Sequence, residues 1–287
     1  MAKRRFLVLG ATGQLGGALC ELAAKQPYWE VRGLSHTDLE IRDAAAVRGA
    51  IAAFRPWVVL NATAWNHVEA AETDPGSAFS VNAAAVAVLA RVCREMHAFL
   101  VHFSTDYVFD GRLARPYRED DPTGPVNLYG LSKLAGEEAI RLITPRHCIF
   151  RTCGLYGGRR SPRAKPNFVE AILARAARGE PLKVRSDLVC TPTSAPELAE
   201  KVLQALQMEL VGTFHATNRG HCTWHEFAAE IVRGRGLRVE VTPIAGDENR
   251  EGARRPAWSV LDHAALAAAG VRPMSPWQEA LAAHLAA

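Results

Sequence analysis

The chain has no Cys-x-x-Cys pair, no run of Lys or Arg long enough to act as a basic arm, and no low-complexity tract beyond alanine-rich segments. Each absence closes off a class of protein. The six cysteines, at positions 20, 93, 148, 153, 190 and 222, are scattered, which speaks against a disulfide framework or structural zinc and fits a reducing, cytoplasmic setting. A net charge of +4, from 34 basic and 30 acidic residues, is too mild to predict nucleic-acid binding. Long hydrophobic runs are missing too. The stretch "VNAAAVAVLARVC" (81–93) is too short and too soon charged to predict a membrane span. "MAKRRFLVLGATG" at the start reads as a first strand, with no signal-peptide core. What remains is a chain of 287 residues, 48% hydrophobic and 22% charged, enough for two lobes or one large α/β domain with a substantial core.

Apolar runs and helical patterns alternate along that chain. "RFLVLG" (5–10), "WEVRGLS" (29–35), "WVVLNAT" (57–63), "FLVHFST" (99–105) and "HCIFRTC" (147–153) read as strands. Helical spacing predicts helices over 13–25, 44–54, 76–97 and around Tyr129. Near-continuous apolar strands alternating with helices predict a parallel sheet covered on both faces, with right-handed crossovers. Beyond position 155 prolines shorten the elements, and a smaller lobe is expected there. Helices are predicted at 167–178 and 196–208, and strands at "PLKV" and "GTFHATN" (212–218). A helix is predicted over 222–232, with Thr223 and Glu226 as a capping box.

The first strand ends in "GATGQLG", placing Gly10, Gly13 and Gly16 between strand and helix. Glycines there permit a tight turn and let a pyrophosphate approach the amides, with the helix N-terminus facing its charge. The tip of the second strand, "GLSHTD", has Ser35 and His36 where NAD-selective folds carry an acid for the ribose. That favours NADPH, with Asp38 close enough to favour NADH instead. Tyr129 and Lys133 lie four residues apart, hence on one helical face. A free tyrosine has a pKa near ~10, and a neighbouring ammonium is expected to lower it into the range useful for acid–base work. Thr105, at the carboxyl end of a strand, supplies a hydroxyl for polarising a carbonyl. Asp106 either orients a substrate hydroxyl or caps a turn. The basic stretches "GGRRSPRAK" (157–165) and "REGARRP" (250–256) either face phosphate or form solvated surface. "HCTWH" (221–225) reads as the Thr223 cap sooner than as a metal site. Cys153 reads as packing sooner than as a nucleophile.

Taken together, "GATGQLG", "STDYVFDG", "YGLSKLAGE" and "RTCGLYG" resemble the extended short-chain dehydrogenase/reductases, and within them the dTDP-4-dehydrorhamnose reductase family. "TPTSAPELAE" (191–200), "GTFHATNRGHCTWHEFA" (212–228) and "ARRPAWSVLD" (253–262) extend the likeness over nearly the whole chain. The resemblance implies a Rossmann-type doubly wound sheet at 1–155 that binds NAD(P), and a mainly substrate-binding α/β lobe at 156–287, with 182–218 partly returning to the sheet. It implies NADPH- or NADH-dependent reduction of the 4-keto group of dTDP-4-dehydro-L-rhamnose, a nucleotide sugar. By position it makes Thr105, Tyr129 and Lys133 catalytic. Gly10, Gly13, Gln14, Leu15, Glu40, Ile41, Ala62, Ala64 and Lys133 become cofactor contacts, and Asn167 and Arg255 nucleotide-sugar contacts.

The chain also departs from that pattern. Gly154 stands where the family often has a tryptophan, Leu188 for a glutamine, Cys190 for a glycine and Trp258 for an asparagine, while Trp65, Asn66 and His67 are further changes. The sugar pocket is therefore expected to be remodelled, with Trp65 and Trp258 as candidates to line it. Ala18 stands where some relatives carry a carboxylate for an interfacial metal, so no metal is expected. Two rivals stay open: an epimerase or dehydratase with tightly held NAD, and a non-catalytic partner of the kind that regulates methionine adenosyltransferase. A homodimer is an open expectation, and no membrane or nucleic-acid partner is expected.

Overall fold

A computed structural model describes residues 3–158, 166–246 and 252–287. The basic residues of the 157–165 stretch, and Arg250 in the second stretch, fall outside the described residues. The strands are β1 (Arg4–Leu9), β2 (Trp29–Leu34), β3 (Val58–Asn61), β4 (Phe99–Thr105), β5 (His147–Thr152), β6 (Leu155–Tyr156), β7 (Leu182–Arg185), β8 (Val189–Cys190), β9 (Thr193–Ser194), β10 (Gly212–His215), β11 (Cys222–Thr223) and β12 (Val241–Ile244). The helices are α1 (Gln14–Ala24), α2 (Ala44–Phe54), α3 (Val68–Thr73), α4 (Pro75–Phe79), α5 (Ala85–Glu95), α6 (Leu128–Ile143), α7 (Phe168–Ala176), α8 (Ala195–Gln207), α9 (Trp224–Gly234), α10 (Ala264–Ala268) and α11 (Trp277–Ala286).

Six strands form a parallel sheet in the order β10-β5-β4-β3-β1-β2. Period-two alternation sends Phe6 and Val8 of β1 to one face, packed with Leu15 and Leu19 of α1 and Leu198 and Val202 of α8. Leu7 and Leu9 point to the other face, among Val47 and Ile51 of α2, Leu89 of α5 and Ile140 of α6. This is the doubly wound α/β fold that the apolar strands predict. The chain runs from β1 outward to β2, then back past β1 to β3. The carboxyl ends of β1 and β3 thus flank a topological switch point, where such sheets bind ligands. A second cluster, built on α7, α9, α11 and β7, forms the smaller lobe. Asn167 with Glu170 and Thr223 with Glu226 close reciprocal capping boxes at the starts of α7 and α9.

The helix predicted over 76–97 is interrupted. A π-helical turn at Ser80–Ala84 separates α4 from α5. It places Asn82, 1% exposed, so that its Oδ1 accepts the Trp65 N–H at 2.9 Å and its Nδ2 donates to Trp65 O and Ser132 Oγ, each at 2.9 Å. Helix α6 crosses this turn at Gly136, where a Cβ would stand 2.2 Å from Asn82 O. Pro75–Glu95 as a whole, 21 residues, is long and apolar enough to cross a membrane by length and composition. Here its apolar residues Val86, Leu89, Ala90 and Cys93 pack in the core.

Helix α6 is fastened to β5 by a buried ion pair. Arg151 donates to Glu137 through Nη2 at 2.8 Å and Nε at 3.0 Å, and Arg141 adds a third contact at 2.6 Å. Burial pushes the Glu137 carboxyl up, but Arg151 overrides it and holds the group below its ordinary value. Removing one partner strands a buried charge. Arg151→Met is expected to cost about 3 kcal/mol in urea unfolding, and a cost below about 1 kcal/mol would show that Arg141 alone can hold the carboxylate.

Candidate active site

The glycine turn is built on contacts that only glycine allows. Gly10 has φ +78°, and a Cβ on it would lie 2.8 Å from Ala62 O. At Gly16 a Cβ would lie 2.1 Å from Gly10 O. Gly13 caps α1 with no side-chain bond, and the first turn of α1 has no acid. An uncapped helix start beneath close-packed glycine backbone fits a dinucleotide pyrophosphate. Leu15 is buried in the core, so only its backbone N–H is available to the turn. Ile41 is likewise a core residue, whereas Ala62 is half-buried and Ala64 exposed beside the turn.

At the tip of β2, Asp38 reaches back. Its Oδ2 accepts from the Ser35 hydroxyl at 2.6 Å and the Ser35 N–H at 2.8 Å, and these bonds lower its pKa. Ser35 therefore does not stand free of acid, contrary to the simpler sequence reading. His36 is exposed, 3.8 Å from Glu40. Glu40 is paired with Arg42 at 2.8 Å, whose hydrogen bonds hold its carboxyl at about 2.

Gln14 links the glycine turn to the second lobe. Its Nε2 donates to Leu155 O at 3.5 Å, and its Oε1 accepts from Asn167 Nδ2 at 2.7 Å. Asn167 is thus already engaged, as the α7 cap and as a partner of Gln14. Arg255 is engaged as well, donating to Glu69 Oε1 at 2.6 Å. A diphosphate at Arg255 has to compete with that carboxylate. Trp65 stacks edge-on against His67 with ring centroids 5.4 Å apart, and its Nε1 is buried without a partner among the described residues. Trp258 donates to Arg115 O at 2.9 Å and packs on the His221 ring. Gly154, at φ +50°, leaves space that the Trp224 ring fills, with Cη2 3.2 Å from where a Cβ would be.

Thr105 ends β4 and Tyr129 opens α6. Thr105 Oγ1 donates to Asp106 Oδ1 at 3.1 Å and accepts the Tyr107 N–H at 3.2 Å. The Tyr129 phenol is pushed above its ordinary pKa by burial, then by the Asp106 charge, while the Thr105 hydroxyl pulls it down. Thr105 and Asp106 are buried at the end of β4, and the half-buried Tyr129 stands beside them. Asp106 is itself raised by burial, and its Oδ2 has no hydrogen-bond partner among the described residues. Tyr107 packs edge-on against Tyr129, centroids 6.1 Å apart. Cys153, where the Cys190 contact lowers the pKa but burial and Asp106 carry it to about 11, is a packing thiol.

Lys133 does not act on Tyr129 as its spacing suggests. Its Nζ donates to Phe103 O at 2.6 Å and lies 3.4 Å from His102 Nε2. Burial brings its pKa down to about 8, against the raising effect of Glu137. Raised phenol and lowered amine are the reverse of the expected pattern, because both groups are desolvated before any ligand charge is present. Behind Lys133, His102 meets Asn61, which meets Thr63 at the rim of the glycine turn. Sequence reasoning missed His102, Asn61 and Tyr107. The signal for the first two is a polar side chain inside an otherwise apolar strand. Among the described residues no group of three His, Cys, Asp or Glu side chains could hold a metal.

Residues 4–287 match the model of the RmlD substrate binding domain family. The chain belongs to that family. It is an oxidoreductase of the family, and similar to proteins of several names within it. A dTDP-4-dehydrorhamnose reductase of Streptomyces griseus is 40% identical over 284 residues, covering 96% of this chain and 91% of that protein. A dTDP-4-keto-6-deoxy-D-glucose reductase of Streptomyces niveus is 36% identical, covering 96% and 95%. The crystal structure of a Bacillus anthracis dTDP-4-dehydrorhamnose reductase in complex with NADP is 30% identical, with a TM-score of 0.91 and coverage of 100% and 99%.

The lowered Lys133 has a measurable consequence. Between pH 8 and its ordinary value near ~10.4, the unfolded chain binds this proton and the native state does not, so stability rises with pH through that window. Relative to Lys133→Met, the native protein is expected to gain about 1 kcal/mol per pH unit in urea unfolding above pH 8. An unchanged difference across that range would mean that Lys133 keeps an ordinary pKa.

Proposed function

We propose that the chain reduces the 4-keto group of a dTDP-linked 6-deoxy sugar, with dTDP-4-dehydro-L-rhamnose as substrate and NADPH as hydride donor. The observation that carries this reading is the buried Thr105–Asp106 pair at the carboxyl end of β4 with the half-buried Tyr129 beside it. On the next turn of the same helix, Lys133 begins a line of polar contacts through His102, Asn61 and Thr63 to the rim of the glycine turn. Family membership and the NADP-bound relative support it further.

The turn from Gly10 to Leu15, with Ser35, Asp38 and Glu40 at the adenosine end and Lys133 at the other, would hold the cofactor. When bound, the reduced nicotinamide supplies the hydride. Thr105 polarises the keto oxygen through its hydroxyl, and Tyr129 delivers the proton to that oxygen. A phenol held above its ordinary pKa is fully protonated at neutral pH, which suits a proton donor. In this reading a substrate hydroxyl donates to Asp106 Oδ2, which is buried without a hydrogen-bond partner among the described residues. Arg255 exchanges Glu69 for the diphosphate, a bidentate acceptor. Trp65, Trp224 and Trp258 shape the sugar pocket in place of the side chain that Gly154 lacks.

An epimerase of the same fold would isomerise the sugar without net cofactor oxidation. Purified protein incubated with dTDP-4-dehydro-L-rhamnose is expected to oxidise NADPH in equal amount to sugar reduced, with NADH compared in parallel. Tyr129→Phe is expected to lower kcat by about 100-fold or more while dinucleotide binding persists. Isomerised sugar with no cofactor consumed, or full turnover by Tyr129→Phe, would overturn the reading.

A further inference from the structure

Strands β3 and β4 pair in parallel with Asn61 opposite His102, so the sheet register itself brings the two side chains together. Both are 0% exposed, and Asn61 Nδ2 lies 3.1 Å from His102 Nδ1. The orientation of the amide follows from its other end. Asn61 Oδ1 accepts from the backbone N–H of Thr63 at 3.3 Å and from its hydroxyl at 2.6 Å. A backbone N–H can only donate, so the oxygen faces Thr63 and the NH₂ faces histidine. That NH₂ is donor-only, which makes His102 Nδ1 the acceptor. Burial and the neighbouring Lys133 keep the imidazole neutral. Its one proton is therefore on Nε2, aimed at Lys133 Nζ 3.4 Å away.

We propose that His102, locked by Asn61 in the tautomer that points an N–H at Lys133, is a positioning residue that makes Lys133 an exchangeable proton carrier instead of a permanent cation. In the ammonium form two donors face each other, and the contact stays long. In the amine form Nζ keeps an N–H for Phe103 O and offers its lone pair to His102. The titratable groups that face Lys133 are His102 from β4 and, on its own helix, Tyr129 and Glu137, whose charge favours the ammonium. His102 thus offsets Glu137. The tautomer rests on geometry alone. Its use in turnover, as the control on when Lys133 is charged beside Tyr129, rests on the reductase reading.

The test is nitrogen-15 NMR of the full chain, with lysine labelled at Cε. His102 is expected to stay neutral with its proton on Nε2 from about pH 6 to about pH 9, and the Lys133 resonance to titrate with a midpoint of about 8. Asn61→Asp presents acceptors only, so it is expected to move the proton to Nδ1 and to raise the Lys133 midpoint by about one unit. A wild-type His102 protonated on Nδ1 or on both nitrogens would overturn the proposal. So would a folded Asn61→Asp protein whose Lys133 midpoint does not move. The wild-type spectra decide the tautomer even if that variant does not fold. They are also independent of any turnover assay, so a failed reduction and a failed tautomer are separate results.

Discussion

The placement of the chemistry depends on how α6 is rotated against the sheet, and the buried carboxylate of Glu137 sets that rotation. Tyr129, Lys133 and Glu137 follow one another at four-residue intervals, so they form one stripe down the helix. Arg151 of β5 grips the last of the three, and Arg141 the same oxygen. The tight crossing of Gly136 over Asn82 fixes how close the helix may come. An ion pair of this kind adds little net stability against an apolar replacement, because both partners lose their hydration. Its contribution here is geometric: apolar packing alone would tolerate a helix turned by some degrees, and a bidentate contact would not.

Much of the frame was legible in the sequence. The apolar runs at 99–105 and 44–54 match β4 and α2 residue for residue. Buried parallel strands leave a strong signal because both faces must be apolar. Both caps in the smaller lobe were also within reach, Thr223 with Glu226 openly so, because a capping box is a local pattern. The glycine turn was legible for a related reason. Only glycine fits where backbone must touch backbone, so the residue type reports the contact.

What escaped was side-chain pairing between distant segments. The break in the 76–97 helix arises because Asn82 is drawn to Trp65 and Ser132, a demand that nothing in the local spacing announces. The i, i+4 placement of Tyr129 and Lys133 was right, but the electrostatic inference from it was not. Proximity on a helix face does not say which partners compete for an ammonium, and here Phe103 O takes it. Asn167 and Arg255 were found by position, yet their bonds to Gln14 and Glu69 could be seen only once the chain was folded.

Those last two contacts differ in kind. Gln14 and Asn167 join the crevice on one side through neutral amides, which neither titrate nor respond much to dissolved ions. Glu69 and Arg255 join it through opposite charges on a half-solvated carboxylate, 54% exposed, and salt weakens such attraction. The crevice is therefore held by two fasteners with different sensitivities. Rising ionic strength weakens the Glu69–Arg255 contact and leaves the Gln14–Asn167 amide contact unchanged.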